Sequence, residues 1–162
     1  AMARHLTNCG WTCRVWLSGT VDELSDDARA NYSILTAGGA PSVPIIAPAD
    51  RLDRVDLADC GVIIDAMLGT GASGDPRPPF DQWIRTTNAA DAYRVAVDVP
   101  TGVDADNGTC GDPYFRADAT LTFVARKPAM AHPETSRLFG DTAVLPIGVP
   151  ARLLLEMLDD RG

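Results

Sequence analysis

The sequence predicts an α/β protein built on a parallel sheet with helices on both faces. Short apolar runs alternate with helical patterns along the 162 residues, which is typical of such a sheet. The run GVIIDAML (61–68) is almost continuously apolar, as expected of a strand buried on both sides. The length indicates a single domain, over 1–162, that is large enough to bury a core.

Six strands are predicted from apolar runs. In chain order they are CRVWL (13–17), VPIIA (43–47), GVIIDAML (61–68), RVAVDVP (94–100), ADATLTFV (117–124) and DTAVLPIG (141–148). The spacing between them leaves room for a connecting helix in most intervals. The segment 101–115, however, is a long loop without periodicity, and such loops are usually functional or mobile.

The helices are predicted from their start and stop signals. The helix in 24–39 begins after Ser25 as its N-cap, with acidic residues in the first turn, and ends at Gly38 and Gly39. A weaker helical stretch begins at Asp50, and PFDQWIRTTN begins another helix near Pro79. The segment PARLLLEMLDD is expected to form a closing helix.

The opening AMARHLTNCGW has the pattern of an amphipathic helix that ends at Gly10. It has no N-cap and no preceding strand, although the first strand of a doubly wound sheet is normally central. The remaining strands alone would leave a large apolar slot open. We therefore expect that residues preceding Ala1 are missing from this sequence, or that the chain is a truncated form.

Charge and cysteine content exclude several classes of function. The net charge of −8 and the single lysine, Lys127, argue against a nucleic-acid surface, and no apolar run is long enough for a membrane span. None of the four cysteines forms a C-x-x-C pair, so a zinc site is not expected. The thiols are interpreted as reduced and structural, in a cytoplasmic protein, with Cys110 as the best candidate for a reactive thiol or a disulfide.

The stretch DAMLGTGASGD (65–75) contains the G-x-G-x-x-G spacing of dinucleotide-binding loops. Three interpretations remain open: a dehydrogenase that binds NAD, a tight turn without a ligand, and an anion-binding loop of another design. The helix of the dinucleotide fingerprint starts within the glycines, whereas here prolines follow Gly74 and lack the N–H groups that would face a phosphate. This favours an anion-binding loop of different construction.

Two aspartates flank this loop at predicted strand ends. Asp65 ends the strand that leads into the loop, and Asp98 with Thr101 ends the next strand, in VDVPTGVDAD. Ligands of open parallel sheets bind outside the carboxyl ends of the strands, so these residues are expected to share one rim. Each aspartate alone could simply cap a turn, but the pair beside a glycine loop indicates a functional site.

Four segments resemble, in order and spacing, the NAD(P)H-hydrate epimerase family, known as the YjeF N-terminal domain. They are DAMLGTGASGDPRPPF, VAVDVPTGVDADNG, ADATLTFVARKPAM and GDTAVLPIGVP. The resemblance covers essentially the whole chain and implies a three-layer αβα sandwich with a Rossmann-like, mostly parallel sheet. It also implies interconversion of the R and S hydrates of NADH and NADPH, so that an S-specific dehydratase can restore the cofactor. The dinucleotide would then be a substrate.

The resemblance also implies roles for individual residues. Asp98 matches an aspartate that contacts substrate, and it suits acid–base catalysis if burial raises its pKa towards working pH. Asp65 and Thr101 match ligands of a potassium ion, with Thr101 standing where the family usually has serine; the hydroxyl oxygen is retained. The substrate-binding loop comprises Gly69, Thr70, Gly71, Ala72, Ser73, Gly74 and Asp75.

Two further residues carry alternative interpretations. Lys127 matches a family lysine near the rim and is interpreted either as a phosphate contact or as a solvated surface lysine. Asp104 is either a second acid–base candidate or a residue that caps a turn. Members of the family are commonly dimeric, which implies a homodimer here.

One departure from the family is expected to matter. The family's G-N-N-G-G-D-G loop, which supplies substrate and potassium contacts, precedes the helix matched by ARHL and has no counterpart here, along with the first helix and strand. The alternative function is therefore a non-catalytic Rossmann-like binding or scaffold module, such as a truncated or retired enzyme.

Overall fold

A computed structural model describes residues 1–37, 43–150 and 152. The chain divides into two compact units, Ala1–Leu52 and Asp53–Gly162, which are described in turn. The prediction that 1–162 forms one domain stays a prediction.

The first unit contains two helices and two short strands. Helix α1 covers Met2–Asn8 and helix α2 covers Asp26–Ala37, and strands β1 (Val15–Trp16) and β2 (Ile45–Ile46) pair in parallel. Ser25 directly precedes α2, and its hydroxyl accepts a hydrogen bond from the Ala28 N–H at 3.4 Å, which confirms the predicted N-cap. The predicted stop at Gly38 and Gly39 lies outside the described residues.

The second unit is a parallel four-stranded sheet in the order β3-β4-β5-β6. The strands are β3 (Val62–Asp65), β4 (Tyr93–Val97), β5 (Ala119–Phe123) and β6 (Asp141–Leu145). Each of the four lies within a predicted strand segment or extends one residue beyond it. Because all four run in the same direction, their carboxyl ends meet at one edge.

Two α-helices lie in the described part of the second unit. Helix α3 (Phe80–Asn88) follows its N-cap Pro79, as the prolines predicted, and the short α4 covers Pro128–Ala131. The predicted helical stretch from Asp50 is replaced by a 3-10 turn at Arg54–Leu57. The closing helix of the sequence prediction lies outside the described residues. None of the described helices combines the length and apolar character of a membrane span.

The two faces of the four-stranded sheet differ in burial. One face presents Ile63, Ala96, Thr120 and Thr122 to the interior, and the core nearby includes Phe139 and Met130. On the alternate positions Val62, Ile64 and Tyr93 remain 37–49% exposed, so the expectation that 61–68 contains a strand buried on both sides is wrong. The covered face therefore supplies most of the packing energy of this unit.

We predict that Ile84→Ala destabilises the protein because Ile84 on α3 is 0% exposed. The substitution should lower the free energy of unfolding by about 2–5 kcal/mol, through lost burial and a residual cavity. Ile64→Ala is the matched control, since Ile64 is 37% exposed and should cost much less. Urea unfolding measures both, and equal losses would contradict the assignment of the core.

Candidate functional site

Asp65 is the last residue of β3, and its carboxylate is buried at 2% exposure. The Thr101 backbone N–H donates to Oδ2 at 2.7 Å, and the Thr101 hydroxyl donates to Oδ1, also at 2.7 Å. The Met67 N–H adds a third bond, to Oδ1 at 3.1 Å. Burial raises the pKa of Asp65, although these hydrogen bonds act in the opposite direction. The predicted proximity of Asp65 and Thr101 is confirmed.

Thr101 also fixes the start of the glycine loop. While its hydroxyl donates to Asp65, the same oxygen accepts a hydrogen bond from the Leu68 N–H at 3.2 Å. Leu68 directly precedes Gly69, so a buried side chain positions the backbone that enters the loop. A methyl group at the next residue, Gly102 (φ +89°), would lie 2.9 Å from the Pro113 carbonyl oxygen, which favours glycine there.

The loop 69–75 is mostly exposed, and its far end is supported by the neighbouring loop 101–115. Asp75 Oδ1 accepts a hydrogen bond from the Asp112 N–H at 2.9 Å. A Cβ on Gly111 would lie 2.6 Å from the Gly74 carbonyl oxygen, so the close approach of the two loops depends on glycine at 111. The long loop is itself ordered by backbone bonds, including a bridge between Val103 and Cys110.

Asp98 follows β4 directly and adopts a φ of 68°, a conformation that residues other than glycine rarely adopt. Three donors converge on its Oδ1 atom: Lys127 Nζ at 2.8 Å, the Thr122 hydroxyl at 3.0 Å and the Phe123 N–H at 3.0 Å. The backbone N–H of Asp98 donates to the Leu121 carbonyl at 2.9 Å. The contacts therefore hold both the backbone and one carboxylate oxygen in place.

The condition under which Asp98 was expected to suit acid–base catalysis, a pKa raised by burial, is not met. Partial burial does act in that direction, but the hydrogen bonds from Lys127, Phe123 and Thr122 and the positive charge of Lys127 outweigh it. The pKa therefore lies below its ordinary value, and Asp98 is ionised at neutral pH. The interpretation of Lys127 as a solvated surface lysine is also wrong, since its side chain is 19% exposed and paired. Its contact with a phosphate stays a prediction.

Asp104 caps a turn, which is one of the two roles that the sequence allowed for it. Its Oδ1 accepts hydrogen bonds from the N–H groups of Asp106 at 2.9 Å and Asn107 at 3.1 Å, which lower its pKa. Among the described residues no cysteine forms a disulfide, and Cys9 and Cys110 are exposed. Within the described residues, no group of three or more His, Cys, Asp or Glu side chains is gathered as a metal site.

Sequence reasoning missed Thr122 and the contact between Lys127 and Asp98. A signal for Thr122 was present, since Thr120 and Thr122 alternate on one face of a buried strand and both are 0% exposed. Buried hydroxyls need partners, and that of Thr120 donates to the Phe139 carbonyl at 2.6 Å. The partner of Thr122 could not be read from the strand pattern, because Asp98 lies in the turn that follows β4, the neighbouring strand.

Together, the fold and the site define an α/β protein with a polar site at the carboxyl ends of parallel strands. Residues 1–129 match the family model described as YjeF-related protein N-terminus. The chain therefore belongs to the YjeF-related N-terminal family.

Relatives of known name support this assignment. The NAD(P)H-hydrate epimerase of Rhodopirellula baltica is 35% identical over 94% of this chain, which spans 62% of that protein. The NAD(P)H-hydrate epimerase of Pirellula staleyi is 36% identical over 98% of this chain, which spans 70% of that protein. The bifunctional NAD(P)H-hydrate repair enzyme Nnr of Hyperthermus butylicus is 37% identical over 91% of the chain, which spans 27% of that protein.

A solved structure supports the fold. The crystal structure of yeast ynu0, YNL200c, superposes with a TM-score of 0.70 at 22% sequence identity, over 92% of this chain and 60% of that one. The predicted α/β, Rossmann-like fold with parallel strands is confirmed.

We predict that Asp98 stabilises the folded protein in a pH-dependent way. Its pKa is lowered on folding, so its contribution is fully present above the ordinary value of 3.8 and is lost as pH falls through the lower folded value. Asp98→Asn should therefore cost about 1–3 kcal/mol of unfolding free energy above pH 5, and progressively less towards pH 3. Urea unfolding across this range measures the difference.

The same Asp98→Asn substitution should also be made in a Lys127→Met variant, so that its cost can be compared with and without Lys127. Because Lys127 supplies the shortest contact to Asp98, the pH-dependent cost of Asp98→Asn should shrink when Lys127 is already absent. A cost that stays constant from pH 7 to pH 3 would contradict the lowered pKa.

Proposed function

We propose that the chain is an NAD(P)H-hydrate epimerase, an isomerase that interconverts the R and S hydrates of NADH and NADPH in cofactor repair. The observation that carries this proposal is the ionised, anchored Asp98 on the same sheet edge as Asp65, Thr101 and the glycine loop. The names of the Rhodopirellula baltica and Pirellula staleyi relatives support the same activity.

The proposed substrate is a hydrated dinucleotide, and the proposed binding loop is 69–75. Positions where a Cβ would meet no atom within 4 Å include Gly69, Gly71 and Gly74, so a ligand could approach the backbone there. Backbone N–H groups in glycine-rich turns suit phosphate oxygens, which is the role proposed for the loop with the pyrophosphate.

The proposed chemistry assigns proton transfer to Asp98. Inversion of the hydroxyl-bearing ring carbon can proceed by ring opening. The hydroxyl loses its proton and becomes a carbonyl as the bond from this carbon to the ring nitrogen breaks, and the nitrogen takes up a proton. Closure onto the opposite face of the carbonyl reverses both proton transfers. An ionised carboxylate can accept that proton and give it back. The lowered pKa keeps Asp98 ionised at neutral pH and therefore able to accept a proton, although it makes the carboxylate a weaker base than an aspartate of ordinary pKa.

The proposed cofactor is a potassium ion held by Asp65 and Thr101. Carboxylate and hydroxyl oxygens suit a hard cation, and no cationic side chain contacts Asp65 among the described residues. A bound cation would compensate the buried negative charge and rigidify the rim beside the glycine loop.

The proposed partners follow from the same activity. The relatives from Hyperthermus butylicus and Pyrobaculum aerophilum are named bifunctional NAD(P)H-hydrate repair enzymes, which supports coupling of this chain to a second repair activity. We propose that this second activity is an S-specific dehydratase. We also propose a homodimer in the cytoplasm, acting on a small molecule rather than on nucleic acid or a membrane.

We predict that Asp98→Asn lowers turnover about 10²–10⁴-fold, the usual contribution of a general acid–base group, while the fold is retained. The assay supplies mixed hydrates of NADH with excess S-specific dehydratase and its nucleotide, and follows the absorbance of the reduced cofactor. Asp104→Asn is the matched control, because Asp104 lies six residues on and only caps a turn. Wild-type turnover by Asp98→Asn would rule out the assignment.

The same assay decides between the proposed enzyme and the non-catalytic binding or scaffold module. If the folded wild-type chain leaves the R hydrate to its slow spontaneous epimerisation, the scaffold interpretation replaces the enzyme. Rapid recovery of the whole hydrate pool excludes the scaffold.

We predict that potassium stabilises the protein through Asp65 and Thr101. At a potassium concentration about ten times the dissociation constant, unfolding should cost about 1.4 kcal/mol more than in choline chloride of equal ionic strength. Thr101→Val should abolish this increment, whereas Thr101→Ser, which keeps the hydroxyl oxygen, should retain it. Thermal unfolding measures the increment, and a wild-type midpoint that is the same in both salts would contradict potassium binding.

A further inference from the structure

The two oxygens of the Asp98 carboxylate differ in the number of hydrogen bonds that they accept from the protein. The carboxylate has three donors, the Lys127 ammonium, the Thr122 hydroxyl and the Phe123 backbone N–H, and all three bind Oδ1. Among the described residues, none donates to Oδ2. A carboxylate oxygen has about two lone-pair directions, so Oδ1 is saturated by the protein alone. The side chain is nevertheless 23% exposed, so the carboxylate is not sealed from solvent.

From this asymmetry we propose that Thr122 and Lys127 are positioning residues that fix Oδ1 of Asp98 and thereby leave Oδ2 as the atom that exchanges the proton with substrate. The inference rests on the proposed epimerase function and deepens it. Neither residue needs to contact substrate for this role, since each acts through Asp98.

The position of Thr122 on β5 directs its hydroxyl to Asp98. Thr122 is 0% exposed, and β5 lies beside β4 in parallel register, so its hydroxyl reaches the residue that follows β4. The donated bond to Asp98 is 3.0 Å long, whereas the other acceptor in reach, the Ala125 carbonyl, is 3.5 Å away. A buried hydroxyl that donates to a carboxylate stabilises the charged form and restricts its rotation.

Lys127, four residues after the end of β5, donates to the same carboxylate oxygen of Asp98. Its ammonium donates to Asp98 Oδ1 at 2.8 Å and to the Phe123 carbonyl at 3.3 Å, so two bonds define where the charge lies. The turn that carries it includes Val124 at a φ of 67°, which is unfavourable for a β-branched residue. The strained turn and the doubly bonded ammonium together indicate that this position of Lys127 is maintained against a conformational cost.

Thr122→Val tests the proposal because it removes the hydroxyl and keeps the shape. Thr120→Val is the matched control: Thr120 is on the same strand and face, is equally buried, and bonds to the Phe139 carbonyl instead of to Asp98. Both variants should lose similar stability. In the coupled hydrate assay, only Thr122→Val should lower kcat, by about ten- to hundredfold, and move the acid limb of the kcat/KM profile to higher pH.

Two further variants keep the test decisive. Thr122→Ser retains the hydroxyl and should restore the wild-type acid limb, and Lys127→Met should move that limb in the same direction as Thr122→Val. A Thr122→Val variant whose kcat and acid limb match those of Thr120→Val would overturn the proposal.

A ¹³C NMR titration of the Asp98 carboxyl, in the protein without substrate, separates this inference from the proposed function. Thr122→Val should raise the titration midpoint of Asp98, while Thr120→Val should leave it in place. If the wild-type protein is inactive in the hydrate assay, the proposed epimerase function is wrong. If the titration midpoint of Asp98 is unchanged in Thr122→Val, the positioning role is wrong, whether or not the protein is active.

Discussion

The burial of the Asp65 carboxylate is the constraint on which the rest of the site depends. A carboxyl group at 2% exposure must be satisfied by hydrogen bonds, and Thr101 supplies two of the three that it receives. Those bonds tie the end of β3 to the turn after β4. Since the Thr101 hydroxyl also accepts from the Leu68 N–H, the same interaction sets where the glycine loop begins.

The two aspartates of this edge are placed in opposite environments. Burial without a cationic side chain raises the pKa of Asp65, whereas Lys127 and two neutral donors outweigh partial burial and lower the pKa of Asp98. Two carboxyl groups with pKa values driven apart are suited to different roles. Asp65 is a buried carboxyl group held in place by hydrogen bonds, and Asp98 is a partly exposed carboxylate that is ionised at neutral pH.

Much of the fold could be predicted because its strands lie within short, mainly apolar segments separated by helical patterns, and because such alternation is typical of parallel pairing. The same parallel pairing explains why Asp65 and Thr101, 36 residues apart, were correctly expected at one edge. The pKa of Asp98 could not be predicted, because it depends on a contact from Lys127 across a turn whose shape is set by Val124. The bond from Thr122 likewise depends on the register between β4 and β5, which no local pattern records.

The conformations of Asp98 and Val124 argue that this edge of the sheet is specified for more than stability. Each residue has a positive φ, at 68° and 67°, and neither is a glycine. Such conformations cost on the order of 1–3 kcal/mol each and persist only where the surrounding contacts over-determine them. Here the Asp98 N–H is held by Leu121 and the Val124 N–H by Leu145. Glycine at either position would relieve the strain. Only an aspartate at 98, however, places a carboxylate oxygen within 3.0 Å of Lys127, Thr122 and the Phe123 N–H at once.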